Sequence, residues 1–553
     1  MRFLRLLTNS LLAGALGAAY LTVLVLQLNP QVPLVSASVW RWYLTLGLFY
    51  GVHLALLFYV TMLLREFFSV DVFSPGWISV RLLAWLSAAA AAVAGALMWV
   101  NLRGFPQLFD EAWARRFAFS AGATTASAVV LLGIAIAHYS FGRRGSRVGA
   151  ALLSIAIVGS LALPIAARGT GGEPPLGTRR VLLSPSPPQQ GPHVTMLLLD
   201  GASLEYVWPR VAAGRLPNFG RLLDAGASMD LATIRPTQPG PVWTAVATGM
   251  YPAKSGVRSA TSYFAPGDTR AIDILPDHCF SHILVHLGIV RDEPASSGAL
   301  RARPLWGILG DYGIRSGVAR WPLTYPAQPV DGFLITDRFH QMVGSMFEFD
   351  GRAAYPADVV PLARDAFTKE DALSGWDDAY TRAVRAAVAA HPVQVSAVRY
   401  QAIDTAAHYA LRDGETAALT GPAFDALDRA YAEVDREIGT ALERLASGEL
   451  LLVISGFGMR PVTPVKRMAA RVLRDPDVTG THEDAPDGFL LAYGSTIAPG
   501  RKPRGAIVDV TPTILYFLGV PIGRDMDGYT RADLFVPSFT AGRPITFIPS
   551  HGG

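Results

Sequence analysis

Asp404 and His408 stand four residues apart in the segment DTAAH and form the clearest pair in the sequence with metal-binding chemistry. If this segment is helical, both side chains project from the same face of the helix. A carboxylate and an imidazole held side by side are suitable ligands for Zn²⁺ or a similar divalent ion. The same spacing is also common in capping and surface contacts, so the pair alone leaves both interpretations open.

Two further residues could take part in the same chemistry. Asp200 directly follows the apolar run Val194–Leu199 (VTMLLL), where an aspartate often caps the helix that comes next. His482 stands alone in the loop-like segment THEDAPDG, where a solvated imidazole is the default interpretation. Neither residue identifies a site without its neighbours in space.

The elements that would position these residues belong to an α/β domain. Strands alternate with helices in the prediction, which is typical of a mostly parallel sheet covered by helices on both faces. In such sheets ligands bind beyond the carboxyl ends of the strands, which is where Asp200 lies. The predicted strands are Val194–Leu199, Val395–Tyr400, Leu450–Ser455 and Phe489–Tyr493. The predicted helices are Leu216–Ala225, Ala379–Ala390, Ala423–Ala446 and Val508–Leu518.

The first third of the chain reads as a membrane region. Hydrophobic residues make up 51% of the chain and charged residues only 17%, below the roughly 25% usual for soluble domains. Five stretches contain no Asp, Glu, Lys or Arg and are long enough to cross a bilayer, which takes about 20 apolar residues. These predicted spans are Leu6–Leu28, Tyr43–Leu64, Leu82–Val100, Phe117–Ala137 and Val148–Ala166.

The positive-inside rule orients the spans. With the N-terminus inside, seven arginines fall in cytoplasmic segments and four in outer ones. We therefore expect an integral protein of a bacterial-type inner membrane with its α/β domain on the extracytoplasmic side. Cleavage of Met1–Ala19 as a signal peptide, the alternative, gives the same side for that domain.

The predicted domains are a five-span helical domain (1–168), a Gly/Pro/Ser-rich linker (169–192) and an α/β domain (193–540) with a cap insertion at about 258–400. The single cysteine, Cys279, excludes an intramolecular disulfide and any CxxC metal site. The net charge of +4 comes without a long basic run, so we expect the lipid bilayer rather than nucleic acid as a partner.

Several sequence motifs, and the order in which they occur, resemble those of the alkaline phosphatase superfamily. Within it, the resemblance is to the type I phosphodiesterase and nucleotide pyrophosphatase branch. The motifs include LLLDGASLEYVWPRVAAGRLPNFGRLLDAGA, VWTAVATGMYPAKSGV, THEDAPDGFLLAYG and VDVTPTILYFLGVPIGRDMDG, within residues 193–536. The resemblance implies an alkaline phosphatase-like fold, phosphoester chemistry and two metal ions beside a Ser or Thr nucleophile. By motif position, it implies that Asp404, His408 and His482 bind one ion and that Asp200 binds the other.

The sequence departs from the family pattern at two places. The family's S-D-H-G segment, which supplies an Asp and a His to the second ion, corresponds here to Ser455-Gly456-Phe457-Gly458. The usual nucleophile position, nine residues before Thr248, holds Pro239, and the nearest hydroxyl is Thr237. Thr237 is therefore the candidate nucleophile, with a simple turn hydroxyl as the alternative. We expect one divalent ion rather than two, Zn²⁺ or else Mn²⁺.

Three functions remain open on the sequence alone. The first is a membrane-anchored, extracytoplasmic phosphodiesterase or phosphotransferase with a degenerate second metal site, acting on an anionic lipid or envelope phosphoester. The second is an inactive binding or scaffold module with the same fold. A transporter with an outer sensor domain is disfavoured, because His53 is the only ionisable Asp, Glu, Lys, Arg or His side chain within the predicted spans.

Overall fold

The structure is a computed structural model that describes residues 2–68, 80–140, 147–172, 191–279, 281–342, 351–368, 370–371, 375–411, 422–473 and 479–552. The chain forms two compact units. One contains Met1–Pro175 and Thr261–Pro294, and the other contains Leu176–Ala260 and Ala295–Gly553. Most of the predicted linker, residues 173–190, lies outside the described residues.

Among the described residues of the first unit, five helices are long and apolar enough to cross a membrane by length and composition, and each includes one predicted span. The second of them is formed by two α-helices joined through a π-helical turn at Gly47–Gly51. The α-helices of this region are α1 (Arg2–Leu28), α2 (Ala37–Leu46), α3 (Val52–Phe68), α4 (Val80–Gly104), α5 (Glu111–Ser140) and α6 (Arg147–Arg168).

The remaining elements alternate along the chain. The strands are β1 (Val194–Leu199), β2 (Ala227–Ala232), β3 (Thr261–Phe264), β4 (Arg291–Pro294), β5 (Ser316–Ala319), β6 (Gly332–Ile335), β7 (Ala354–Tyr355), β8 (Val395–Tyr400), β9 (Leu450–Phe457), β10 (Arg460–Pro461), β11 (Gly480–Thr481), β12 (Asp487–Tyr493), β13 (Gly500–Arg501), β14 (Gly505–Ala506), β15 (Ile522–Gly523) and β16 (Phe547–Ile548). The helices are α7 (Leu204–Ala212), α8 (Pro217–Ala225), α9 (Pro239–Thr248), α10 (Pro252–Ser255), α11 (Ile283–His286), α12 (Leu305–Asp311), α13 (Val359–Ala366), α14 (Asp377–Ala390), α15 (Ala402–Ala410), α16 (Pro422–Arg444), α17 (Pro464–Leu473), α18 (Val510–Leu518) and α19 (Pro537–Thr540).

The main sheet has the strand order β13-β2-β12-β9-β1-β8-β5-β6-β7, with β14 also paired to β2. Strands β9, β1, β8, β5 and β6 run parallel, and β12 runs antiparallel to both of its neighbours. This architecture confirms the predicted fold class, a mostly parallel sheet flanked by helices. The sheet's order places the carboxyl ends of β1, β8 and β9 side by side.

Strand β1 is covered on both faces, which explains its unbroken apolar run. Leu197 and Leu199 pack in one core with Tyr431 of α16, while the alternating residues Met196 and Leu198 are also buried. A strand of a parallel sheet enclosed by helices has no solvent face and therefore no polar alternation.

Residues 261–294 belong to the helical unit although they lie far from it in sequence. The Asn29 side chain accepts hydrogen bonds from the backbone N–H groups of Asp273 and Ile274 and donates one to the Ile274 carbonyl. Asn101 clamps the backbone of Asp277 in the same way, through distances of 2.8 and 3.1 Å. Because buried amides must find partners, these bonds fix the segment at the carboxyl ends of α1 and α4.

Residues at about 258–400, the range predicted as a cap, are consequently divided between the two units. Residues 261–294 pack with the helices, whereas β5 and β6 lie within the main sheet. Each of these two strands has only four residues, all buried, so neither shows an alternation that the sequence could reveal.

Candidate metal centre

Asp404, His408 and His482 come together at the carboxyl end of the sheet. Helix α15 follows β8 and presents Asp404 and His408 from one face, and His482 directly follows β11. One ligand atom from each residue lies within 4.8 Å of the other two. Among the residues that the structure describes, this is the one group of three or more His, Cys, Asp or Glu side chains placed to hold a metal ion.

Backbone carbonyls orient both imidazoles. His408 Nδ1 lies 2.8 Å from the Gly480 carbonyl, and His482 Nδ1 lies 2.8 Å from the Thr237 carbonyl. A carbonyl only accepts, so each Nδ1 carries the proton and each Nε2 keeps a free lone pair. Phe457 also packs edge-on against the His482 ring at 5.4 Å between centroids. Metal-binding histidines commonly donate their second ring N–H to such a carbonyl, which fixes the orientation of the ring.

The Asp404 carboxylate is buried without its full complement of partners. Its Oδ2 lies 3.6 Å from His408 Nε2, and its Oδ1 accepts no hydrogen bond from any described residue. Burial, followed by the nearby Asp200 carboxylate, raises the pKa of Asp404 to about 6. Burial also lowers the pKa of His482. An unpartnered buried carboxylate oxygen beside two available Nε2 atoms fits a bound divalent cation, which would satisfy all three.

Asp200 has other partners. Its Oδ2 accepts from the Arg399 guanidinium, with Nε at 2.9 Å, and its Oδ1 accepts from the Trp243 indole at 2.5 Å. Asp200 is fully buried, and it is not part of the three-residue group. Arg399 was not anticipated, although a charged residue inside the apolar strand VSAVRY is a signal that something opposite must neutralise it.

The positions that match the family's second Asp and His offer no ligand. A Cβ added to Gly456 would lie 2.6 Å from Val242 Cγ1, so no side chain fits there without movement. Phe457 is fully buried and apolar. These two positions therefore supply no side-chain ligand for a second metal ion.

The backbone of Thr237 contacts the candidate metal centre. Its carbonyl accepts the hydrogen bond from His482, and its buried hydroxyl donates to the Ile234 carbonyl at 2.9 Å. Helix α9 begins two residues later, at Pro239.

Gly480 is a sensitive position for His408. An added Cβ would lie 2.3 Å from the Ala407 carbonyl oxygen, so Gly480→Ala must displace the loop whose carbonyl orients the imidazole. Loss of a hydrogen-bond partner of a metal-binding histidine typically lowers metal affinity about 10–100-fold. We expect Gly480→Ala to lower Zn²⁺ affinity by a similar factor. A Zn²⁺ titration of the full chain measures it, with Gly542→Ala as a control in an open turn without a positive φ. Unchanged affinity in Gly480→Ala would show that this carbonyl does not orient the ligand.

Comparison with known proteins identifies a family. The family model described as type I phosphodiesterase/nucleotide pyrophosphatase matches residues 194–498, more than half of the chain. No curated protein matches the chain. Among solved structures, murine ectonucleotide pyrophosphatase/phosphodiesterase 5 is similar at 12% identity and a TM-score of 0.38, covering 62% of this chain and all of that one. An inactive variant of the same murine protein in complex with AMP gives 13% identity and a TM-score of 0.39 at the same coverage.

Proposed function

The chain belongs to the type I phosphodiesterase/nucleotide pyrophosphatase family, and from this membership we propose that it is a membrane-anchored extracytoplasmic phosphoesterase that works with one divalent metal ion. Membership supports a phosphoric ester hydrolase activity. The finer parts of the proposal are the single ion, the membrane anchor, the side of the membrane and the substrate.

The convergence of Asp404, His408 and His482 supports the single ion most strongly. Three protein ligands with an open position are the arrangement of catalytic rather than structural zinc. When bound, such an ion polarises a phosphoryl oxygen and lowers the pKa of a coordinated water. Mn²⁺ is the alternative, and the donor set of two imidazoles and one carboxylate suits Zn²⁺ well.

The protein's own residues hold this site ready. The carbonyls of Gly480 and Thr237 fix the imidazoles in one tautomer and one orientation, so the two rings need not reorient when the ion binds. Thr237 is the candidate nucleophile in this proposal. To act, its hydroxyl must exchange the hydrogen bond to the Ile234 carbonyl for a contact with the substrate.

The substrate we propose is an anionic phosphoester of a membrane lipid or envelope polymer. The five apolar helices support anchoring in a bilayer. Tethering a catalytic domain beside a membrane raises the effective concentration of substrates held there. The arginine distribution between the span-flanking segments supports an extracytoplasmic catalytic domain, as in a bacterial-type inner membrane.

A binding or scaffold module is the second candidate. Gly456, Phe457 and the pairing of Asp200 with Arg399 favour it, because they remove the ligands that the resemblance assigns to a second ion. In that case the domain would keep one ion and bind a phosphoester without cleaving it.

Hydrolysis of bis-p-nitrophenyl phosphate by the full chain in detergent tests the proposal. We expect activity with Zn²⁺ or Mn²⁺, loss of activity with EDTA, and recovery when the metal is returned. His482→Ala should abolish both the activity and the tight metal equivalent, because the histidine supplies one of three ligands. His193→Ala is the matched control, since this exposed residue lies at the opposite, amino end of β1 and pairs with Glu449.

The outcomes separate the two candidates. Equal inactivity of wild type and His482→Ala over a broad panel of metals, phosphomonoesters and phosphodiesters would refute the enzyme. If the metal equivalent is still present in wild type and lost in His482→Ala, the binding module would then be the better account.

A further inference from the structure

The guanidinium of Arg399 lies beside the Asp200 carboxylate, where the family pattern would place a second metal ion. Leu198 of β1 pairs with Arg399 of β8 in the parallel register, so the arginine lies one strand away from Asp200 and near the same carboxyl end. Its side chain is 7% exposed and the Asp200 side chain is 0% exposed. Two such charges are stable in the interior only if each neutralises the other.

The geometry uses both oxygens of the carboxylate. The guanidinium donates to Oδ2 through Nε and a terminal nitrogen, and the Trp243 indole donates to Oδ1. Trp243 is itself held in place, because its carbonyl accepts from the Trp321 indole at 3.1 Å and the two rings pack edge to face. Asp200 therefore has no oxygen left without a partner from the protein.

The surrounding space is also closed to a second set of ligands. Val242 fills the volume beside the Gly456 Cα, and the Phe457 ring is buried where the family pattern has an imidazole. One turn of α9 supplies both Val242 and Trp243 to this wall. The same helix that packs against Gly456 thus also provides the donor for Asp200.

We infer that Arg399 is a positioning residue that replaces the second metal ion: its guanidinium neutralises Asp200, holds that carboxylate in place and leaves a single-metal centre. The inference rests on the proposed one-ion site of Asp404, His408 and His482. It changes the role of Asp200 from metal ligand to partner of an internal cation. It also explains how the losses at Gly456 and Phe457 can be accommodated without an unpaired buried charge.

Two-by-two substitution of the pair tests this role. The full chain in detergent is compared as wild type, Asp200→Asn, Arg399→Met and the double variant, with Zn²⁺ content and Zn²⁺ affinity measured for each. We expect one Zn²⁺ equivalent in wild type. Asp200→Asn should weaken Zn²⁺ binding about tenfold or more, because it leaves the guanidinium unpaired beside the ion. Arg399→Met in that background should restore affinity to within about threefold of wild type, because the local charge is balanced again.

A ligand role for Asp200 gives the opposite pattern. If Asp200 binds metal, the double variant will be as weak as Asp200→Asn, and wild type will hold two equivalents; either result overturns the inference. Arg399→Lys keeps the charge and should retain more kcat than Arg399→Met, a rescue that a purely space-filling role would not give.

Thermal unfolding in EDTA keeps the test independent of the proposed function. In metal-free protein, the double variant should have a higher midpoint than at least one of the single variants, since no buried charge is left alone. If wild type binds no metal but this coupling is present, the proposed metal site fails and the ion pair stands. If the midpoints are additive, the pairing itself is refuted.

Discussion

Replacing Asp404 by asparagine should remove the bound metal ion and reduce phosphoester hydrolysis by about a thousandfold. Asparagine has nearly the shape of aspartate, so the buried packing at this position is kept while the negative charge is lost. Structural zinc sites bind with about 10–16 kcal/mol, or about 2.5–4 kcal/mol for each ligand of a four-ligand site. At 1.4 kcal/mol for each factor of ten, that share corresponds to two to three orders of magnitude in affinity.

The local structure makes Asp404 the proposed ligand whose loss is hardest to compensate. It is the only carboxylate of the group, it is 6% exposed, and its Oδ1 has no hydrogen-bond partner among the described residues. Water reaches such a position poorly, so nothing else would neutralise the cation from this side. We therefore expect a larger loss in Asp404→Asn than in Gly480→Ala, which only disturbs a histidine's orientation.

Three measurements test the loss of metal and activity in Asp404→Asn. They are the zinc content after desalting, a Zn²⁺ titration, and kcat/KM on bis-p-nitrophenyl phosphate. Asp358→Asn is the matched control, because Asp358 is an exposed aspartate whose partner, His391, is not a ligand. Asp404→Asn protein that keeps both its zinc and its activity would show that the three side chains do not form the catalytic centre, whatever their proximity.

Local patterns in the sequence predicted much of this architecture. The predicted bounds of β1 and β8 match the observed strands residue for residue, and five of the six residues of each strand are buried. The pair Asp404 and His408 was predictable for a similar reason, since helix geometry alone places residues four apart on one face. These features depend on neighbours in the sequence.

Features that depend on strand order were not predictable. The pairing of Arg399 with Asp200 requires that β8 lie directly beside β1, and nothing in either segment states that order. Residues 261–294 pack with the helical unit through Asn29 and Asn101, two amides whose partners lie more than 170 residues away in sequence. Family resemblance indicated metal ligation for Asp200, but only the folded arrangement shows which donors already surround it.

Introducing an aspartate at Gly456, the position that matches the family's second-metal Asp, should destabilise the protein and bring no second ion. The new Cβ would lie 2.6 Å from Val242 Cγ1, below any normal carbon contact, in a strand whose residues are all buried. Overpacking of this kind costs about 1–3 kcal/mol, and an unpaired buried charge adds about 3–5 kcal/mol. We therefore expect Gly456→Asp to lower the thermal midpoint strongly or prevent folding.

A short series of variants separates the two costs of that substitution and decides whether the second metal site can be rebuilt. Gly456→Ala carries the steric cost alone, and combining Val242→Ala with Gly456→Asp opens space for the carboxylate while leaving its charge. If sterics dominate, the combined variant should recover most of the lost stability; if charge dominates, it should remain as unstable as Gly456→Asp.

Zinc content should stay at one equivalent in every folded member, because Asp200 is already neutralised by Arg399 and Phe457 supplies no lone pair. A second zinc equivalent in either aspartate variant would mean that Asp200 exchanges its guanidinium for a metal ion, and that one carboxylate is enough to reverse the loss of the two-metal site.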